Sequence, residues 1–167
     1  MRRALRVLAG LILAAALGLA ARQWLAGAVR IAGNSMADTL LSGDVVLVTR
    51  PDYAFGGAPR RGDIVECVFP GRDGRYVKRV VGLPGDRVEF LDGALLLNGR
   101  RISEPYVTSA AEDLRVELGP DEYFVLGDNR AESYDSRAAD MGCVSRDCFL
   151  GRVRLILWPL DRLGIVE

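Results

Sequence analysis

The sequence contains no histidine, and this absence excludes several common designs for a functional site. A Ser-His-Asp triad needs an imidazole as its general base, and many zinc sites need one as a ligand. Cysteine is scarce too, because Cys67, Cys143 and Cys148 are too few and too scattered for a zinc site of the usual spacing. We therefore predict no metal and no other cofactor. Cys143 and Cys148 could pair outside the cytoplasm, and the sequence leaves that pairing open.

An excess of charge of one sign is also lacking, since 22 basic residues balance 22 acidic ones. Nothing in this balance favours a nucleic acid held through its phosphates. Lysine occurs once, at Lys78, whereas the other 21 basic residues are arginines. An ammonium can give up its proton in a protein and a guanidinium cannot, so Lys78 is a candidate proton acceptor. Codon bias would explain the same count, and the position of Lys78 must decide.

The N-terminal segment joins a positively charged head to an apolar run. Its arginines are the only charged residues among residues 1–37, and fifteen uncharged residues follow MRRALR. A cleavable secretion signal and a retained membrane anchor both fit this pattern. We favour the anchor, from about Arg6 to Val29, with Trp24 near the outer interface. The predicted division is a cytoplasmic head with its anchor over residues 1–29 and an extracytoplasmic domain over residues 30–167.

From Ile31 onward short apolar runs alternate with turns, which is typical of an all-β domain. Three of these runs, GDVVLV, GDIVECVF and GDRVEFL, begin with Gly-Asp and continue into β-forming residues. EFLDGALLLNGRRI predicts a hairpin over Asp92-Gly93 and a turn at Asn98-Gly99. Further strands are predicted for YVKRVVGL, EYFVLGDN and GRVRLILWP, and one helical turn is expected near SRAADMG, residues 136–142.

The stretch GNSMADTL places Ser35 at a glycine-loosened bend before an apolar run. A serine hydroxyl attacks carbonyls poorly unless a base takes its proton. In a chain without histidine, that base must be another kind of side chain.

Lys78 lies in the predicted strand RYVKRVVGLPGD. Because side chains alternate along a strand, Lys78 shares a face with Tyr76 and Val80, whereas Arg75 and Arg79 lie on the opposite face. An ordinary lysine has a pKa of about 10.4, and burial on an apolar face can lower that pKa by about 3 to 5. The alternative interpretation is a solvated lysine on the surface of a strand.

Four segments, taken in order, resemble the boxes of bacterial type I signal peptidases: GNSMADTL, RGDIVECVFP, KRVVGLPGD and GDNRAESYDSR. The closing GRVRLILWPLDRLG is similar to that family's C-terminal strand, so the resemblance runs from about Ile31 to the end. It implies an all-β fold, with a catalytic domain of coiled antiparallel β-sheet preceded by one N-terminal transmembrane helix. The short loops resemble the compact forms with a single anchor.

The resemblance also implies the roles of individual residues. It implies a Ser–Lys dyad, with Ser35 as the nucleophile and Lys78 as the general base. Ser133 would position the lysine, and Asp135 and Arg137 would brace its loop as an ion pair. For Asp128 and Asn129 in the same segment, a Gly-Asp-Asn turn with a surface salt bridge is the alternative to a functional role.

The family implies the substrate and the location as well. Signal peptidases cut secretory preproteins after a small-x-small sequence at the outer surface of the bacterial cytoplasmic membrane. Preproteins and the lipid bilayer are thus the expected partners, and nucleic acid and metal are not. An extended peptide would bind along an exposed strand edge. The residues expected to wall its shallow pockets, each of which could equally be plain core, are Ile31, Met36, Leu40, Tyr76 and Val77.

Two residues near the nucleophile depart from the family pattern. Asp38 replaces the usual proline, and a carboxylate beside the dyad would favour a charged lysine. We therefore expect Asp38 to point to solvent or to cap the following turn. Gly33 replaces a serine that some members use as an oxyanion donor. The oxyanion would then rely on the Ser35 N–H, helped by Asn34 or water.

Other functions are compatible with the same residues. A processing peptidase of the same clan could serve a dedicated pilus or conjugation precursor, and a non-catalytic anchored extracytoplasmic module could retain the residues. Self-cleaving transcriptional regulators share the chemistry but carry a DNA-binding module where this chain has its apolar segment. Loss of preprotein cleavage in Ser35→Ala and Lys78→Arg would favour the enzyme.

Overall fold

A computed structural model describes residues 10, 18, 25–37, 39–54, 56–107 and 111–166. Within these ranges, no helix combines the length and the apolar character needed to cross a bilayer. Most of the predicted anchor, including Trp24, lies outside the described residues, as does Asp38. The anchor and the orientation of Asp38 therefore stay predictions.

The larger of two antiparallel sheets has seven strands in the described part of the chain. They run in the order β1-β2-β10-β3-β4-β9, and β11 pairs with β10. The bounds are β1 (Ala26–Arg30), β2 (Val45–Thr49), β3 (Ile64–Cys67), β4 (Tyr76–Gly82), β9 (Phe124–Leu126), β10 (Phe149–Trp158) and β11 (Gly164–Ile165).

The smaller sheet has four strands in the order β7-β6-β5-β8. Their bounds are β5 (Arg87–Leu91), β6 (Ala94–Leu97), β7 (Arg100–Arg101) and β8 (Leu114–Glu117). The predicted hairpin is confirmed, because Leu91 pairs with Ala94 across Asp92-Gly93. The turn at Asn98-Gly99 is confirmed as well, and both dipeptides adopt the positive φ angles that Asn, Asp and Gly tolerate best.

Strand β1 corrects the predicted end of the anchor. Val29 pairs with Val46 and Ala26 with Thr49 in an antiparallel ladder. The boundary expected at residue 29 thus falls inside a strand of the sheet. Apolar composition alone could not separate this short strand from the run before it.

Within residues 26–166, helix is as scarce as predicted in the part of the chain that the structure describes. The described residues contain α1 (Pro51–Ala54) and the 3-10 helices Arg146–Cys148 and Leu160–Arg162. The helical turn expected near residues 136–142 is confirmed as one isolated turn within a run of consecutive turns. The turns are closed by bonds from the Ala138 N–H to Asp135 O and from the Gly142 N–H to Ala138 O.

The core consists of three apolar clusters around and between the sheets. Cys67 is fully buried in the first cluster, and burial raises the pKa of its thiol to about 12. All three cysteines are free thiols. The possible Cys143–Cys148 pairing is therefore absent, and these two residues pack in different clusters.

Strand β4 has one open edge at its beginning. Its residues Tyr76–Lys78 pair with β3 on one side, whereas β9 joins the other side only from Arg79 onward. Among the described residues, nothing completes the sheet along this edge. An unpaired edge offers backbone N–H and C=O groups to a further strand.

Candidate active site

Ser35 lies in a turn between β1 and β2. Gly33 precedes it with φ +84°, a conformation that glycine adopts without strain. The turn closes through bonds from the Ala37 N–H to Asn34 O (3.0 Å) and from the Leu40 N–H to Met36 O (2.6 Å). Met36 and Leu40 are buried in the second core cluster, so the turn is fixed to the core while Ser35 stays half-buried.

The segment after β9 holds this turn from the other side. The Asn129 N–H donates to the Ser35 carbonyl (3.1 Å), and its side-chain amide donates to the Asn34 carbonyl (3.1 Å). The Asn34 amide, expected near the oxyanion, donates instead to exposed Glu132 (3.0 Å). No acceptor for the Ser35 N–H lies among the described residues.

Lys78 is buried on β4, with 3% of its surface exposed, opposite Val65 of β3. Its Nζ donates to Oγ of Ser133 at 3.0 Å. Lys78 and Ser35 line the same cavity, of about 130 Å³. In the described part of the chain no hydrogen bond joins the two side chains directly.

Burial favours the neutral form of Lys78, whereas most of the charges around it favour the ammonium. Burial is the largest influence and lowers the pKa of the amine from its ordinary value. The Asp135 carboxylate acts in the opposite direction and is the next largest influence, while Arg137 lowers the pKa further.

The Ser133 hydroxyl has a defined hydrogen-bonding polarity. Its Oγ lies 2.6 Å from an Asp135 carboxylate oxygen, which can only accept. The single hydroxyl proton is thus directed to Asp135, and the Ser133 oxygen accepts from Lys78 Nζ and from the Gly127 N–H (3.1 Å). Because Lys78 donates here, the lone pair of a neutral amine is left for another partner.

Asp135 is in turn fixed by a bidentate ion pair. Arg137 donates to both carboxylate oxygens, at 2.8 and 3.0 Å, and the Gly127 N–H adds a third bond at 3.0 Å. Burial alone would raise the pKa of Asp135, but these partners lower it from the ordinary value. Asp135 therefore stays ionised beside Ser133, as the predicted brace requires.

Gly127 lies between Ser133 and the turn that carries Ser35. A Cβ at this position would lie 2.2 Å from Ser133 Oγ and 2.3 Å from the Ser35 carbonyl oxygen. Real Cβ atoms do not approach that closely, so only glycine permits this packing. Beyond the GDN turn, no pattern in the sequence indicates this role.

A second buried ion pair connects β4 to the turn that carries Ser35. Arg79 donates to both oxygens of fully buried Asp128, at 2.9 and 2.8 Å, and the Thr39 hydroxyl donates to the same carboxylate. The salt bridge expected at this turn is present, but it is buried rather than on the surface. A signal was available, because Arg79 lies between Val77 and Val81 on its face of the strand, and a buried guanidinium needs a partner.

The cavity brings together most of the residues expected to bind substrate. Ile31, Met36, Tyr76 and Val77 line it. Leu40 does not line the cavity. It is fully buried in the second core cluster, where it anchors the turn that carries Ser35. Sequence reasoning missed five further lining residues, which are Val29, Arg30, Ala32, Glu66 and Arg75.

Comparison with known proteins gives consistent matches. The family model described as signal peptidase, peptidase S26, matches residues 4–158. A signal peptidase I of Leptolyngbya laminosa is 38% identical in an alignment 170 positions long, which covers 93% of this chain and 79% of that protein. A signal peptidase I of Bacillus licheniformis is 34% identical in an alignment 165 positions long, which covers 92% of this chain and 88% of that protein.

A solved structure is similar as well. The crystal structure of a signal peptidase I from Enterococcus faecalis superimposes with a TM-score of 0.50 at 34% identity. The match covers 56% of this chain and 95% of that one.

Proposed function

Because this chain belongs to the signal peptidase family, peptidase S26, we propose that it removes signal peptides from secretory preproteins with Ser35 as nucleophile and Lys78 as general base. The observation that carries this proposal is the buried amine of Lys78, which faces the same cavity as Ser35 and donates to Ser133. In substrate-free enzymes catalytic hydrogen bonds are often long and tighten when substrate binds, so the lack of a direct Ser35–Lys78 bond is compatible with this role.

Lys78 would act first as a base. Its neutral amine takes the Ser35 proton while Oγ attacks the carbonyl carbon of the scissile peptide. The Ser35 N–H, which has no acceptor among the described residues, is aimed at the developing oxyanion. The Asn34 amide would have to leave Glu132 to assist.

The same lysine would then act as an acid and again as a base. Its ammonium donates the proton to the leaving amine as the C–N bond breaks, which leaves an ester on Ser35. A water then attacks this ester while Lys78 accepts its proton, and that proton returns to Ser35 as the ester bond breaks. Throughout, Ser133 holds the nitrogen in place because its own proton is committed to Asp135.

The open edge of β4 supports an extended substrate. A peptide added along Tyr76–Lys78 would pair with the free backbone groups there and present alternate side chains to the same side. The cavity on that side measures about 130 Å³, which suits small side chains. Small residues at alternate positions correspond to cleavage after small-x-small.

The C-terminal segment supports a position at the bilayer. Four large apolar side chains lie exposed within eight residues: Trp158, Leu160, Leu163 and Ile165. Arg162 in the same segment donates to the Thr39 carbonyl (3.1 Å) and to Asp44 (3.0 Å), so it is tied to the turn that carries Ser35. Exposed apolar patches of this kind mark interaction surfaces. We infer a single-pass protein of the bacterial cytoplasmic membrane whose catalytic domain is extracytoplasmic.

Cleavage of a preprotein by the membrane-inserted protein tests this proposal. Wild type should release the mature protein, whereas Ser35→Ala and Lys78→Arg should each lose at least about 10²-fold in rate. Arg154→Lys exchanges arginine and lysine at a half-exposed position and serves as the control. It should cleave like wild type. Full activity of Lys78→Arg would contradict the dyad. Cleavage of a pilus or conjugation precursor but of no secretory preprotein would favour a dedicated processing peptidase. A lack of cleavage of every precursor would favour a non-catalytic module.

A further inference from the structure

Glu66 is a buried carboxylate at the wall of the catalytic cavity. It lies on β3 opposite Val77 of β4, so the two side chains share one face of the sheet, and both line the cavity with Ser35. Only 1% of its side chain is exposed. A carboxylate so buried is rare in proteins unless its oxygens are partnered.

The partners of Glu66 are incomplete. Its Oε1 accepts from Arg75 Nη1 at 3.2 Å, through one bond rather than a bidentate pair. Its Oε2 is buried, and no donor from the described residues reaches it. A buried acceptor without a donor destabilises the folded protein, and a donor supplied by a ligand would relieve that penalty.

Arg75 does not close the site. Its side chain is 58% exposed, so its bond to Glu66 forms at the rim of the cavity and competes with water. Arg75 directly precedes β4 and lies three positions before Lys78, about 10 Å in extended chain, and Glu66, which bonds to it, pairs with Val77, one position before Lys78. The Glu66–Arg75 end of the cavity is therefore closer to a substrate residue two positions from the cleaved bond than to the residue at that bond.

The size of the cavity limits which donor fits. A cavity of about 130 Å³ that two substrate side chains share favours small side chains over lysine or arginine. A serine or threonine hydroxyl is small enough and carries one proton to donate.

We propose that Glu66 is a specificity-determining residue that selects a hydroxyl side chain, serine or threonine, at the second small position, two residues before the residue whose carbonyl is attacked. This inference rests on the proposed signal peptidase function and refines its substrate class. Arg75 orients the Glu66 carboxylate, and Val77 forms the apolar floor beside it.

The test compares two preproteins that differ only by alanine or serine at that second position. A further pair carries the same exchange at the intervening position, whose side chain points to the opposite side of an extended peptide. Cleavage of all four is measured with membrane-inserted wild type, Glu66→Val and Glu66→Gln. Arg72→Gln, which alters an arginine outside the cavity, is the matched control.

Wild type and Arg72→Gln should cleave the serine substrate with a kcat/KM about tenfold above that of the alanine substrate. In Glu66→Val this ratio should fall below one, because the hydroxyl is then buried without an acceptor. The nearly isosteric Glu66→Gln should give an intermediate ratio, and it keeps the test decisive if the valine variant does not fold. For the intervening position the ratio should be about one in every enzyme.

A wild-type ratio of one, or a tenfold ratio that persists in Glu66→Val, would overturn the inference while leaving the proposed function intact. A wild type that cleaves none of the four preproteins would overturn the proposed function, and this inference with it.

Discussion

The Oγ of Ser133 lies 3.0 Å from Nζ of Lys78 and accepts a hydrogen bond from it. Ser133 cannot reverse this bond, because its own proton is directed to Asp135 at 2.6 Å. The lysine is thus oriented by an acceptor, and its free lone pair is available to a proton from Ser35. The chemistry proposed for the site depends on this polarity.

Removal of the Ser133 hydroxyl should disorient the base without affecting substrate binding. For Ser133→Ala we expect kcat to fall about 10²-fold, with little change in KM, because the amine loses the one side-chain hydrogen bond that it makes within the described residues. Steady-state kinetics on a preprotein measure both constants. Ser145→Ala, whose hydroxyl contacts Cys148 away from the cavity, serves as control. A normal kcat in Ser133→Ala would show that Lys78 needs no orienting partner.

The charges near Lys78 should move the pH profile in opposite directions. Activity requires the neutral amine, so the acidic limb of kcat/KM follows the pKa of Lys78. Asp135 raises that pKa and Arg137 lowers it. We therefore expect the acidic limb to shift to lower pH in Asp135→Asn and to higher pH in Arg137→Gln. Shifts of the same sign in both variants would contradict this assignment.

Substitution of Gly127 should displace both Ser133 and the turn that carries Ser35. In Gly127→Ala the new Cβ would collide with Ser133 Oγ and with the Ser35 carbonyl oxygen. We expect a loss of about 1–3 kcal/mol in stability and a fall in kcat larger than that of Ser133→Ala. Thermal unfolding in detergent and kinetics measure the two effects. Gly119→Ala is the control, because its Cβ would meet only the flexible end of Glu122. Near-normal activity of Gly127→Ala would be incompatible with the close packing described.

Tyr106 should stabilise the buried arginine beside the base. The guanidinium carbon of Arg79 lies 4.0 Å from the centre of the Tyr106 ring, and the Tyr106 hydroxyl donates to Glu104 at 3.0 Å. Tyr106→Leu removes the cation–π contact and should destabilise the protein by about 1–2 kcal/mol. Tyr106→Phe keeps the ring and should lose less. Equal melting temperatures for the two variants would exclude the ring contact as the stabilising element.

Much of the fold follows from local chemistry in the sequence. The Gly-Asp pairs mark the entries to β2, β3 and β5, and the Asp92-Gly93 and Asn98-Gly99 dipeptides specify their turns because they tolerate positive φ. Strand β1 was missed for a physical reason. Its residues are apolar like those before it, and only pairing with β2 distinguishes it.

The site was predictable to a similar extent. The lone Lys78 and the family boxes pointed to a Ser–Lys pair, and the alternation of β4 placed the lysine on an apolar face. The other features of the site depend on contacts between residues far apart in the sequence, which local patterns do not indicate. The Arg79–Asp128 pair joins residues 49 positions apart, and Gly127 matters only because Ser133 and Ser35 converge on it. In the sequence Glu66 is an ordinary strand residue. Only the pairing with β4 and the cavity that it shares with Ser35 indicate a role for it.

The most direct measurement of the central claim uses the single lysine of this chain. Incorporation of lysine labelled with ¹³C at Cε gives one side-chain signal, which needs no assignment, and its titration in the detergent-solubilised full-length protein reports the pKa of Lys78. We predict a midpoint well below the ordinary value of about 10.4, because burial disfavours the charged amine. A midpoint at or above that ordinary value would mean that Lys78 is charged at neutral pH and cannot be the base.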